Sequence, residues 1–288
     1  MMTKLGRPVT RLACAFAALL GLAACQSTFD GKEDPLAQSV IDEADLNSLL
    51  LTAGDPAAAV TYFEQAVARE PERADFRQNL ARAYGRVKRF PEAARVYQEL
   101  VNLEQDRDAD RLEYAFVNIR LQAFEDARRL AETLPQRMDT PRRHLLDGLL
   151  ADHQEDWTTA DASYARAVEL STRPAEIYNN WGVSKMSRGE LEQAIRDFRQ
   201  AISFDSRRFS AKNNLAIAKG LQGDYQLPIV PLTDTERAII MNNLGLIALR
   251  KGDDRAARGL FASAVETHPQ HYQGAADRLA ALESKVTN

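Results

Sequence analysis

Ala59-Val-Thr-Tyr-Phe63-Glu-Gln-Ala66-Val-Ala-Arg-Glu-Pro71 returns near the far end of the chain as Ala257-Arg-Gly-Leu-Phe261-Ala-Ser-Ala264-Val-Glu-Thr-His-Pro269. In both, an alanine is followed by an aromatic four places on, an alanine three later and a proline five later. Ala194, Phe198 and Ala201 repeat the set without the proline, as do Ala160, Tyr164 and Ala167. Ala93 with Tyr97, and Ala127 with Leu134, are weaker copies. The first four intervals between leading alanines are 34, 34, 33 and 34 residues. Steps of four and three put the set on one stripe of a helix. Small alanines let a second helix approach closely, and the ring fills the space to the next copy. A helix pair of this kind cannot bury its apolar face alone, so stacking supplies the core.

A period of 34 residues is the tetratricopeptide signature. The expected fold is all-α, a right-handed superhelical solenoid of helix-turn-helix repeats over residues 40–288, with about seven repeats. Leu80-Ala81, Trp181-Gly182, Leu215-Ala216 and Leu244-Gly245 fall in register as the large-small pair of each first helix. Gly189, Gly223 and Gly252 stand where a first helix must turn into a second. The interval from Ala194 to Ala257 is 63 residues, five short of two periods. The shortfall coincides with Tyr225-Gln-Leu-Pro228-Ile-Val-Pro231-Leu232, whose two prolines forbid a regular helix. The sixth repeat is therefore expected to be incomplete at 225–233. Thr233 and Glu236 form a capping box opening the next helix. Leu227, Ile229, Val230 and Leu232 either plug the space of the lost helix or dock a partner, and both readings stay open. A capping helix is expected at 271–284.

The N-terminus reads differently. Lys4, Arg7 and Arg11 precede an apolar run, Leu12 to Leu22, that is too short to span a bilayer, and small residues follow. Residues 1–24 are a secretory signal, and Leu22-Ala-Ala-Cys25 resembles the bacterial lipobox, in which the thiol of Cys25 is acylated. Two or more acyl chains anchor durably. Residues 25–39 then form a tether, and Cys25 is the only cysteine left after cleavage. Gln26 is not an aspartate, which favours the periplasmic face of the outer membrane over the inner membrane. Of 37 basic and 41 acidic residues the signal removes three basic ones, so the remaining chain is acidic. Nothing in it suits nucleic acid.

First helices carry asparagines just before the large-small pair: Asn79, Asn180, Asn214 and Asn243, three of them doubled by Asn179, Asn213 and Asn242. A carboxamide offers donor and acceptor together, so a row of them suits the backbone of an extended peptide. The row resembles the asparagine ladder of long peptide-binding repeat proteins. Inter-repeat polar contacts are the competing reading, and both stay open. Glu113 and Leu146 occupy the matching places between. Asn179 and Asn213 stand where a carboxylate clamp would need lysine. Val183, Ile217 and Leu246 would make the groove partly apolar. Phosphate-binding, nucleophile-elbow and zinc-protease strings are absent from the sequence, and His144, His153, His268 and His271 form no metal set. No cofactor, no small-molecule substrate and no catalysis are expected.

One further resemblance is more specific. Asn179-Asn-Trp-Gly-Val-Ser-Lys-Met-Ser-Arg-Gly189, Phe198-Arg-Gln-Ala-Ile-Ser-Phe-Asp205, Ala211 through Gly223 to Pro228, and Leu232-Thr-Asp-Thr-Glu-Arg237 resemble TadD-type lipoproteins of the tight-adherence (Flp) pilus machinery. The broken repeat is part of the likeness, while residues 100–150 diverge. The resemblance implies an outer-membrane-anchored, protein-binding scaffold, pilotin-like toward the secretin of that machine. A barrel-assembly lipoprotein or an adaptor for periplasmic cell-wall hydrolases is the alternative.

Overall fold

A computed structural model describes residues 43–270 and 272–286. The signal, Cys25 and the tether lie outside the described residues. Fourteen helices and no strand are found among them. After α1 (Glu43–Thr52) and α2 (Pro56–Arg69), α3 (Ala74–Arg86) pairs with α4 (Phe90–Asn102), and α5 (Asp108–Arg120) with α6 (Phe124–Thr133). Next come α7 (Pro141–His153) with α8 (Trp157–Leu170) and α9 (Ala175–Ser187) with α10 (Leu191–Phe204). Then α11 (Phe209–Leu221) stands without a second helix, followed by α12 (Asp234–Arg250) with α13 (Asp254–Thr267) and a closing α14 (Gln273–Val286). The closing helix starts two residues later and ends two residues later than the sequence suggested, and His271 lies outside the described residues.

Local chemistry sets the boundaries. Asp55 accepts from the amides of Ala57 and Ala58 ahead of α2, whose first residue is Pro56. Thr140 before Pro141, Asp156 and Asp253 cap α7, α8 and α13 in the same way. Thr233 and Glu236 close a reciprocal capping box on α12.

The alanine–aromatic set is the centre of each pair. Ala59, Phe63, Ala160, Tyr164, Ala194, Phe198, Ala257 and Phe261 are all fully buried. The rings of Tyr164, Phe198 and Phe261 lie close against Gly148, Gly182 and Gly245 of their first helices. A β-carbon on Gly182 would stand 2.6 Å from Phe198, and one on Gly245 2.7 Å from Phe261. The glycine is thus a requirement of helix approach. In the third repeat Ala131 takes the ring's place, and Leu134 and Met138 fill behind it. Ala216 of α11 has no ring from a second helix of its own repeat, because that helix is missing; Tyr225 of the following loop packs on its cluster instead.

The loop at 222–233 replaces that helix only in part. Tyr225, Leu227 and Leu232 pack against Ala216, Ile240 and Leu244. The buried Lys212 fixes the loop's end, donating to the carbonyl of Pro231 at 2.7 Å and meeting the Glu236 carboxylate at 3.3 Å. Ile229 does not plug the space; its side chain is fully exposed. Prolines at 228 and 231 leave too short a stretch to turn all four apolar residues inward. The plug reading therefore holds for Leu227 and Leu232 and is corrected for Ile229.

Candidate peptide-binding site

The doubled asparagines sit midway along α9, α11 and α12, and the structure brings them together. Asn214 donates through Nδ2 to Oδ1 of Asn179 at 3.1 Å. Asn243 donates likewise to Oδ1 of Asn213 at 2.8 Å. Arg278 of α14 continues the pattern, its Nη1 donating to Oδ1 of Asn242 at 3.3 Å. The rule is the same at every rung: the first asparagine of a pair accepts, and the next first helix, one place further on, donates. The inter-repeat contact reading thus describes what these side chains do within the chain. Each such bond nets about 0.5–1.5 kcal/mol.

The rungs leave polar capacity over. A carboxamide has two N–H donors and two lone pairs. Among the described residues, Nδ2 of Asn179 and Asn213 and Oδ1 of Asn214 meet no partner, and all three side chains are half-buried. The first rung therefore presents a spare donor on Asn179 beside a spare acceptor on Asn214, the complement of one peptide unit, and the second rung adds the spare donor of Asn213. Asn180 is turned inward along its own helix, donating to the Glu176 carbonyl at 3.0 Å. Asn242 is buried and donates weakly to Asn243 at 3.4 Å. One turn beyond the rungs, Val183 and Leu246 are exposed and Ile217 half-buried.

Asn79 is not part of this group. It lies half-buried on α3, separated from α9 by α5 and α7. Between them the same face is held by ions. Arg142 of α7 makes two bonds of 2.9 Å to Glu113 of α5, approaches Glu176 of α9 at 3.6 Å and covers the Phe116 ring at 3.5 Å. Sequence reasoning missed this bridge, although Glu113 and Arg142 are 29 residues apart, near one repeat period. It also missed Arg278, which substitutes for an asparagine in the last rung.

No group of side chains suited to a metal occurs among the described residues. His144 bonds Asp139 at 2.7 Å, His153 stacks on Phe124 at 3.7 Å, and His268 contacts the carbonyl of Gln270. Nor is any described helix long and apolar enough to cross a membrane.

Known families match two separate parts of the stack. Tetratricopeptide-repeat models match residues 50–112 and 175–207. The fold is that of a tetratricopeptide-repeat solenoid. A tetratricopeptide-repeat protein from Parabacteroides merdae superposes with a TM-score of 0.54 at 17% identity, over 83% of this chain and 96% of that one. A chain of the APC/C hetero-tetramer Cut9-Hcn1 gives a TM-score of 0.57 at 17% identity, over 82% of this chain; the match spans about half that protein, 48%. No curated protein matches the sequence. At such identity the likeness concerns fold, and tetratricopeptide repeats serve protein binding without a catalytic family among the matches.

Proposed function

We propose that the chain is a lipid-anchored scaffold at the periplasmic face of the outer membrane. In this reading it binds an extended segment of a partner along the first helices α9, α11 and α12, and catalyses nothing. The observation that carries the binding role is the pair of spare amide donors on Asn179 and Asn213 with the spare acceptor on Asn214, bordered by Val183, Ile217 and Leu246. Backbone-directed bonds hold a segment without reading its side chains, and the apolar border adds burial. The partner is a component of a tight-adherence (Flp) pilus machine, foremost its secretin. Support for that comes from the resemblance over residues 179–237, including the broken sixth repeat, and from the lipobox ending at Cys25.

The test is the amount and membrane location of assembled secretin in cells carrying Cys25→Ala, Asn179→Ala with Asn213→Ala, or a deletion. Multimers that vanish or stay at the inner membrane in all three support the pilotin-like reading. Unchanged secretin in the deletion strain rejects the secretin as partner. Loss with Cys25→Ala but not with the double asparagine variant keeps the anchor and rejects the rungs as the binding surface.

A further inference from the structure

The missing second helix leaves more than a loop. Its place is filled only on the side of α12 and α13, where Tyr225, Leu227 and Leu232 pack. On the α10 side a cleft of about 390 Å³ stays open. That lies within the range of roughly 300–1,000 Å³ in which proteins enclose ligands. Its walls are Arg199 and Ile202 of α10, Leu215 and Lys219 of α11, and Pro228 and Val230 of the loop, with Ile229 at the lip. Every other first helix from α1 to α12 is followed in sequence by a second helix, so the cleft is the part of such a helix's place that the loop leaves unfilled.

Charge gives the cleft a direction. On α10, Arg199 lies one turn before Ile202; on α11, Lys219 lies one turn after Leu215. Helices joined by a short connection run antiparallel, so both cations fall toward the same end and the apolar residues toward the other. Lys219 is partly satisfied by Asp224 at 2.8 Å, which holds that carboxyl below the usual carboxylate range. Arg199 is exposed and meets no partner among the described residues. Ile229, fully exposed, is the large side chain with most to gain from being covered.

We propose that this cleft is a second docking site, which accepts an amphipathic helix of a partner protein whose apolar face is followed, one turn on, by carboxylates. The guest helix stands where the sixth repeat's own second helix is missing. Its apolar residues cover Ile202, Leu215, Val230 and Ile229, and its acids meet Arg199 and Lys219. This site is independent of the asparagine rungs.

The experiment uses the full chain and two fluorescein-labelled, alanine-based helical peptides. Both carry leucines on one face; one has glutamates and the other lysines one turn beyond. Fluorescence anisotropy is expected to show binding of the glutamate peptide, at least tenfold weaker binding of the lysine peptide, and loss with Ile229→Asp. Arg199→Glu is expected to reverse the preference. Both substitutions sit on exposed side chains, and circular dichroism melts check that the fold persists. Binding of neither peptide, equal binding of both, or indifference to Arg199→Glu overturns the proposal. Asn179→Ala with Asn213→Ala should leave the affinity unchanged; if it falls, the peptide lies on the first-helix face and the cleft proposal fails while the rung reading stands. Self-association of the full chain that Ile229→Asp abolishes would assign the cleft to a second copy, which also overturns it.

Discussion

Individual residues carry this fold through contacts of two kinds, close approach and backbone shape. Gly182 and Gly245 lack the β-carbon that would strike Phe198 and Phe261. Gly182→Ala and Gly245→Ala should each cost about 1–3 kcal/mol by overpacking, even though alanine is the better helix former. Gly148→Ala should be milder, because its β-carbon would stand 3.1 Å from Tyr164. Thermal unfolding followed by circular dichroism decides it: a Gly182→Ala protein melting at or above the parent rejects overpacking. The second kind is seen in the turns that follow first helices, where Gly189, Gly223 and Gly252 have positive φ. Lys88, Gln122 and Glu155 adopt the same conformation at φ of 61°, 61° and 58° without being glycine. Left-handed backbone costs a residue with a β-carbon roughly 1–2 kcal/mol, partly offset by glycine's larger freedom when unfolded. Gln122→Gly should therefore raise stability by about 0.5–1 kcal/mol. A lower urea midpoint for that variant would contradict it. These three turns were illegible in the sequence because their residues carry no turn chemistry. Only the register set by neighbouring repeats demands the conformation.

At the scale of elements, sequence periodicity revealed what the helices share and missed what differs between them. The alanine–aromatic set located the second helices α2, α8, α10 and α13, since a buried ring against a small residue is a requirement of packing. It marked α6 only weakly, through Ala127 and Leu134, because Ala131 stands in the ring's place and the helix ends after ten residues. It was silent on the ionic and amide links between first helices, whose partners lie a repeat apart and leave no local pattern. The loop from Leu134 to Thr140 shows how such links stand in for packing. Asp139 receives Arg166 of α8 at 2.5 Å and His144 of α7 at 2.7 Å. Hydrogen bonds from Arg166 and then His144 pull its carboxyl from 3.8 down to about 2. A depressed carboxyl favours the folded state above the ordinary carboxylate range, and that contribution is lost as the pH falls from about 4 toward about 2. The group is exposed, so the energy is small and screened by salt. The shift itself is measurable by carboxyl-carbon NMR. Asp139 should titrate near 2 in the parent and move up toward 3.8 in Arg166→Gln. An unchanged midpoint would mean that Arg166 does not hold the loop in solution.

Across residues 47–288, the core is a chain of clusters, not one interior. One surrounds Phe63, Tyr84 and Tyr97; others follow around Leu146, Tyr164 and Phe198, and the last around Phe261 and Leu282. In such a stack each repeat touches only its neighbours, so stability is a sum of repeat and interface terms, and damage stays local. Phe63→Ala removes a fully buried ring and should cost about 3–5 kcal/mol. Native-state hydrogen exchange should then show protection lost across α2, α3 and α4, while the amides of α12 and α13 keep theirs. Equal loss at both ends would require one cooperative unit, contrary to the separate clusters. The place where the stack is least continuous is the incomplete sixth repeat, where α11 relies on Lys212, the loop and the asparagine rungs instead of a second helix. Both proposed binding surfaces border it: the rungs on the first-helix face and the cleft beside α10. A guest helix filling the cleft would supply the interface term that this repeat lacks. With the glutamate peptide bound, exchange in α11 should slow more than in any other helix. Slowing spread evenly along the stack would mean that the peptide stabilises the chain without seating in the cleft.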